Sequence, residues 1–131
     1  MTGSERTRWR GIKILGGDSH PGLAEELAQQ TGADLVPLAI DAFADGESRV
    51  KIGASVRGAA VFLVQPTCPP VNDNLVKLAL VADAARAAGA FWTGAIVPYF
   101  GYARQERRSA EGEPRSAQLA TAVSTSLSST R

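Results

Sequence analysis

The sequence predicts an α/β domain with a mainly parallel sheet flanked by helices. Three observations carry that reading. Short apolar runs alternate with stretches of helical spacing, the run at 60–65 is apolar on both sides, and a Gly-rich turn joins the first run to the first helical stretch. Residues 12–15 form the first strand, and Gly16-Gly17-Asp18-Ser19-His20-Pro21 supplies turn and helix-start chemistry. Leu23, Ala24, Leu27 and Ala28 then recur at helical spacing, Glu25 and Glu26 suit a helix N-terminus, and Gly32 stops the helix. Residues 34–40 read as a second strand, 48–52 as a third with alternating character, and 60–65 as a fully buried one. Asp45-Gly46 and Arg57-Gly58 mark the turns between them. Past Pro69-Pro70, Asn72-Asp73-Asn74 offers helix caps, and Leu75, Leu78, Ala82 and Ala85 line one face of a long helix. Val76, Leu80 and Val81 widen that face beyond what one sheet covers, which points to contact with another subunit. Gly89 ends the helix and 91–97 returns as a strand.

Composition bounds the function. The chain has 131 residues, 44% hydrophobic and 21% charged, the makeup of a single soluble globular domain of ordinary size. A formal net charge of +1 argues against a general nucleic-acid binder, so an anion site must be local. Residues 1–11 carry Arg6, Arg8 and Arg10 around Trp9 without a following apolar run, so no signal peptide is expected. No segment approaches the length of a membrane helix. Cys68 is the only cysteine, which rules out an internal disulfide and suits a reducing cytoplasm.

The richest stretch for chemistry is Pro98-Tyr99-Phe100-Gly101-Tyr102-Ala103-Arg104-Gln105-Glu106-Arg107-Arg108. Aromatics and a glycine lead from a buried strand straight into clustered guanidinium groups. Arginine matches phosphate oxygens in pairs, and an aromatic face can stack on a base, so one loop could hold both ends of a nucleotide. A solvated basic turn is the plain alternative. Ligands of parallel α/β sheets bind at the carboxyl ends of the strands, where this loop falls, which favours the functional reading. His20, the only histidine, is better placed to cap or pack at a helix start than to act as a base. Cys68, beside two prolines and far from that histidine in sequence, is a poor candidate nucleophile.

Five blocks then carry a family resemblance: Gly17-Asp18-Ser19-His20, Phe43-Ala44-Asp45-Gly46-Glu47, Ser55-Val56-Arg57-Gly58, Thr67-Cys68-Pro69-Pro70-Val71-Asn72-Asp73-Asn74-Leu75, and 98–105. In this order they resemble the amino-terminal half of ribose-phosphate pyrophosphokinase. The resemblance implies a phosphoribosyltransferase-like amino-terminal domain at 12–123, between a basic tail at 1–11 and a Ser/Thr-rich tail at 124–131. It implies transfer of diphosphate from magnesium ATP to ribose 5-phosphate, Mg2+ entering with ATP, in a homo-oligomer of two-domain subunits. Phe43, Asp45 and Glu47 match the residues that cradle adenine bound mainly to a neighbouring subunit. Arg104 and Gln105 match ATP-contacting residues of the catalytic loop, with Arg104 in the catalytic role. Ser55 and Arg57 match a regulatory phosphate or ADP site between subunits. Read without the family, Phe43 is a core residue, and Asp45-Gly46 and Arg57-Gly58 are plain turns.

The chain also departs from the family. It has no Asp-Leu-His motif, where the family holds magnesium ATP, no acidic pair followed by Thr-Gly-Gly to bind ribose 5-phosphate, and not the lysine and arginine that act on the transferring group. Seven of the eleven residues 121–131 are Ser or Thr, so the helix begun by Ala117, Leu119, Ala120 and Val123 should fray. The expectation is an incomplete half of the enzyme, with ribose 5-phosphate bound only if the other half is supplied. A non-catalytic regulatory or assembly partner of the full-length enzyme is the alternative, and an unrelated small nucleotide-binding module a third.

Overall fold

The computed structural model describes residues 11–105 and 110–112. Four parallel strands form the central sheet: β1 (Ile12–Gly16), β2 (Asp34–Val36), β5 (Ala60–Val64) and β6 (Trp92–Ile96), in the order β2-β1-β5-β6. The register puts Ile14 opposite Leu35 on one side and Phe62 on the other, with Phe62 opposite Gly94. Two of the crossovers carry a helix, α1 (Pro21–Thr31) between β1 and β2, and α2 (Val71–Ala87) between β5 and β6.

Strand alternation sorts the side chains onto two faces. Ile14, Phe62 and Val64 turn toward α1 and meet Ala24, Leu23 and Leu27, while Leu15, Val61 and Leu63 turn toward α2 and meet Leu78, Val81, Ala82 and Ala85. Both faces are covered, which accounts for the unbroken apolar character of β5.

The expected strand at 34–40 is two strands. Pro37 has no N–H for a ladder, and the chain leaves the parallel sheet there. Residues Leu38–Ala42 (β3) pair antiparallel with Ser48–Ile52 (β4) as a separate hairpin. Its inner side chains, Leu38, Ile40, Val50 and Ile52, pack on the cluster that contains α2. Of the residues assigned above to contact with another subunit, Val81 is buried within the chain in the cluster on which this hairpin packs, while Val76 stays exposed.

Two helix-start expectations are corrected. Asn72-Asp73-Asn74 provides no cap, because α2 already begins at Val71 with Pro70 before it and no side-chain cap bond. Asn74 instead points inward, donating from Nδ2 to the Cys68 carbonyl at 2.7 Å. Glu25 and Glu26 fall beyond the first turn of α1. His20 does cap α1, its Nδ1 accepting from the Leu23 N–H at 3.1 Å. Gly32 ends α1 in the left-handed conformation. The expected tails and the helix at 117–123 lie outside the described residues. No helix among the described residues is long and apolar enough to cross a membrane.

Candidate functional site

The loops after β1, β5 and β6 leave the sheet at the same edge, the carboxyl ends of its strands, and a buried polar network joins them. Gln65, 2% exposed, directly follows β5. Its Oε1 lies 2.8 Å from Ser19 Oγ in the first loop, and its Nε2 donates to Asn74 Oδ1 in α2 at 3.4 Å. Ser19 Oγ is also 2.7 Å from the Pro66 carbonyl. Lys77 of α2 reaches Asp18 at 3.0 Å over the same loop. These bonds fix the floor beside which the 98–105 segment emerges.

That segment and the start of α2 enclose a cavity of about 670 Å³, ample for a nucleotide-sized ligand. Pro70, Asn72 and Asp73 form one wall, and Tyr99, Phe100, Tyr102, Arg104 and Gln105 the other. Arg104 and Gln105 sit exposed on a single 3-10 turn, Ala103–Gln105, closed by the Gln105 N–H on the Tyr102 carbonyl at 2.8 Å. A guanidinium and an amide thus stand exposed beside the cavity, and a guanidinium so placed can pair with phosphate oxygens. Glu106, Arg107 and Arg108 of the expected cluster lie outside the described residues. Among the described residues no three His, Cys, Asp or Glu side chains gather as a metal site.

The adenine candidates stand elsewhere. Phe43, Asp45 and Glu47 occupy the tip of the β3–β4 hairpin, and none of them lines the cavity. The Phe43 N–H donates to the Glu47 carbonyl at 2.7 Å and the Gly46 N–H to the Phe43 carbonyl at 2.9 Å. Gly46 takes φ +93°, which only glycine adopts without strain. Asp45 Oδ1 accepts from the Glu47 N–H at 3.0 Å, so the turn itself uses one carboxylate oxygen and leaves Asp45 a second for a ligand. The core alternative for Phe43 fails, since the residue is 48% exposed. Arg49 lies 5.3 Å from that ring centre and forms two bonds with Asp41, at 2.8 and 2.7 Å.

Ser55 and Arg57 are exposed at the opposite edge of the sheet, before the amino ends of β5 and β6. Ser55 Oγ accepts from the Arg57 N–H at 3.3 Å, and the Gly58 N–H donates to the Gly89 carbonyl at 2.8 Å. A five-residue strand spans about 16 Å, so this pair is well separated from Arg104. The seven expected site residues therefore form three separate groups within one chain.

Reading the sequence did not find the roles of Gln65, Thr67, Asn72, Asn74 and Tyr102. The available signal was polar residues directly after a fully apolar strand, where a buried side chain must find a partner.

The N-terminal domain of ribose phosphate pyrophosphokinase matches residues 12–127. The ribose-phosphate pyrophosphokinase of Helicobacter pylori J99 is 44% identical over 114 residues, which is 87% of this chain and 36% of that protein. That of Caldanaerobacter subterraneus is 46% identical over 108 residues, 82% of this chain and 34% of the relative. The crystal structure of phosphoribosylpyrophosphate synthetase from Mycobacterium smegmatis superposes with a TM-score of 0.79 at 30% identity, covering 88% of this chain and 39% of that one. The chain thus spans about a third of the length of these curated relatives. A parallel sheet with its loops converging on one edge and the match over 12–127 lead to one conclusion: the chain belongs to the ribose-phosphate pyrophosphokinase family, as an amino-terminal domain.

Proposed function

We propose that these residues form the ATP-side half of a ribose-phosphate diphosphokinase site, which transfers diphosphate from magnesium ATP to ribose 5-phosphate. The observation that carries the reading is the cavity beside α2 with Arg104 and Gln105 on its wall, at the edge of a parallel sheet where ligands bind. Arg104 balances the charge that develops as the diphosphoryl group moves, and Gln105 orients the phosphate chain. Phosphoryl transfer depends on such positioning and charge stabilisation more than on covalent chemistry. Magnesium arrives with ATP as part of the substrate. Phe43 offers a ring face to adenine, and Asp45 and Glu47 accept hydrogen bonds from its amino group or from ribose hydroxyls. Because the hairpin tip does not line the cavity, these three residues serve a nucleotide held by a neighbouring copy. Ser55 and Arg57 belong to a regulatory phosphate site at the opposite edge. The amino-terminal domain is 12–123, flanked by the segments 1–11 and 124–131, and it works in the cytoplasm, a setting that suits the free Cys68.

Ribose 5-phosphate needs the other half of the site, and the chain matches only about a third of its relatives' length. The purified 131-residue chain is therefore expected to make no phosphoribosyl pyrophosphate from magnesium ATP and ribose 5-phosphate. Addition of a carboxyl-terminal half from a relative should restore product formation. Turnover by the isolated chain would defeat the half-site reading.

A further inference from the structure

We propose that Thr67 is the positioning residue of the loop that carries Arg104 and Gln105; the inference rests on the ATP-side reading of that loop. Thr67 is 0% exposed and lies three residues beyond β5. Its N–H donates to the Tyr99 carbonyl at 2.8 Å, its hydroxyl donates to the same carbonyl at 2.9 Å, and its Oγ1 accepts from the Gly101 N–H at 2.6 Å. One residue thus holds both ends of the corner Tyr99-Phe100-Gly101.

A hydroxyl suits this position because it both donates and accepts. Gly101 is buried, so without Thr67 Oγ1 its N–H would lose its partner away from water. The fit leaves no slack: a Cβ on Gly101 would lie 2.3 Å from Val71 Cγ1 and 3.0 Å from the Thr67 carbonyl oxygen. Tyr102 follows at φ 72°, a left-handed conformation costly for a tyrosine. Its hydroxyl donates to Asn72 Oδ1 at the start of α2. The Ala103 N–H then bonds back to the Phe100 carbonyl at 3.2 Å, which starts the turn that carries Arg104. Thr67 anchors the corner and the bonds that follow it carry the chain into the turn that bears Arg104, so the threonine sets where the guanidinium stands.

The test is hydrogen exchange on the full chain without nucleotide. Thr67→Val removes the hydroxyl at nearly constant shape, and Thr67→Ser keeps it. Relative to the amides of β1 and β5, those at 99–105 should exchange about tenfold or more faster in Thr67→Val, as expected for a lost buried hydrogen bond. Thr67→Ser should restore exchange to near the wild-type rate. Equal exchange at 99–105 in Thr67→Val and wild type overturns the proposal. Should Thr67→Val not fold, the Gly101 amide decides: exchange at the rate of an exposed amide in the wild type overturns the latch, and protection retained in Thr67→Ser upholds it. Titration with magnesium ATP separates the two readings. Loosening by Thr67→Val in a chain that magnesium ATP protects nowhere upholds the latch and overturns the nucleotide site alone.

Discussion

Arg49 engages two side chains at the hairpin tip, and its effect on Phe43 follows from how it is held. Two hydrogen bonds to Asp41 fix the guanidinium, and its centre lies 5.3 Å from the Phe43 ring. A cation over one aromatic face steadies the ring. The Arg49 hydrogen bond holds the Asp41 carboxyl below its ordinary range, and the same bond pushes Arg49 up. Because the folded value of Asp41 is depressed, the pair's contribution is complete above the ordinary carboxylate pKa of about 3.9 and is lost as pH falls through the depressed value. Both groups are in solvent, so salt should weaken the pair as acid does. Titrating the Asp41 carboxyl by NMR should give a midpoint below that of a free aspartate, which moves back toward the ordinary value in Arg49→Gln. Arg104 invites a second measurement at this scale. It is exposed on its turn, so Arg104→Ala should leave the unfolding midpoint unchanged. In enzyme reconstituted with a carboxyl-terminal half, the same change should lower kcat by about 10²- to 10³-fold, the usual effect of removing one preorganised charge-stabilising donor.

Helix α2 owes its burial to two partners, the sheet beneath it and the β3–β4 hairpin beside it. Leu78 is 1% exposed within that cluster, and Leu78→Ala should cost about 2–5 kcal/mol in denaturant unfolding, since neither partner can close the void alone. What the sequence revealed at this scale depended on range. The parallel strands, the αL stop at Gly32 and the His20 cap were legible, because apolar spacing and capping chemistry act over a few residues. The break at Pro37 carried a local signal, but the separate hairpin that follows it depends on packing against a helix more than thirty residues later. For the same reason Val81 read as a surface for another subunit. Asn74 illustrates the converse: its sequence context suits a cap, and only the distant Gln65 and the Cys68 carbonyl draw it inward. The candidate site divides likewise. The loop bearing Arg104 and Gln105 could be placed at a strand end from spacing, whereas the bonds between Thr67 and Gly101 join residues that are 34 apart in sequence.

Over the whole molecule, the separation of the three site groups constrains how a nucleotide can engage the protein. The cavity beside α2 is lined by none of Phe43, Asp45 or Glu47, so under the proposed function a ligand gripped by Arg104 would meet that hairpin tip on a second copy. Exposed Phe43 and Val76 leave apolar surface available for such a contact. Nucleotide binding and self-association should therefore be linked: a ligand that favours the pair over the single chain shifts the equilibrium by its differential affinity. In sedimentation velocity at fixed chain concentration, magnesium ATP should raise the weight-average coefficient, and a nucleotide lacking the base should do so less. Phe43→Ala should abolish the shift while leaving the fold intact, because this ring is solvent-facing and holds no part of the core. Protection of 99–105 by magnesium ATP in hydrogen exchange should then weaken on dilution, since the second copy is lost. A shift that persists in Phe43→Ala, or protection independent of chain concentration, would place adenine within a single chain and remove the hairpin tip from the site.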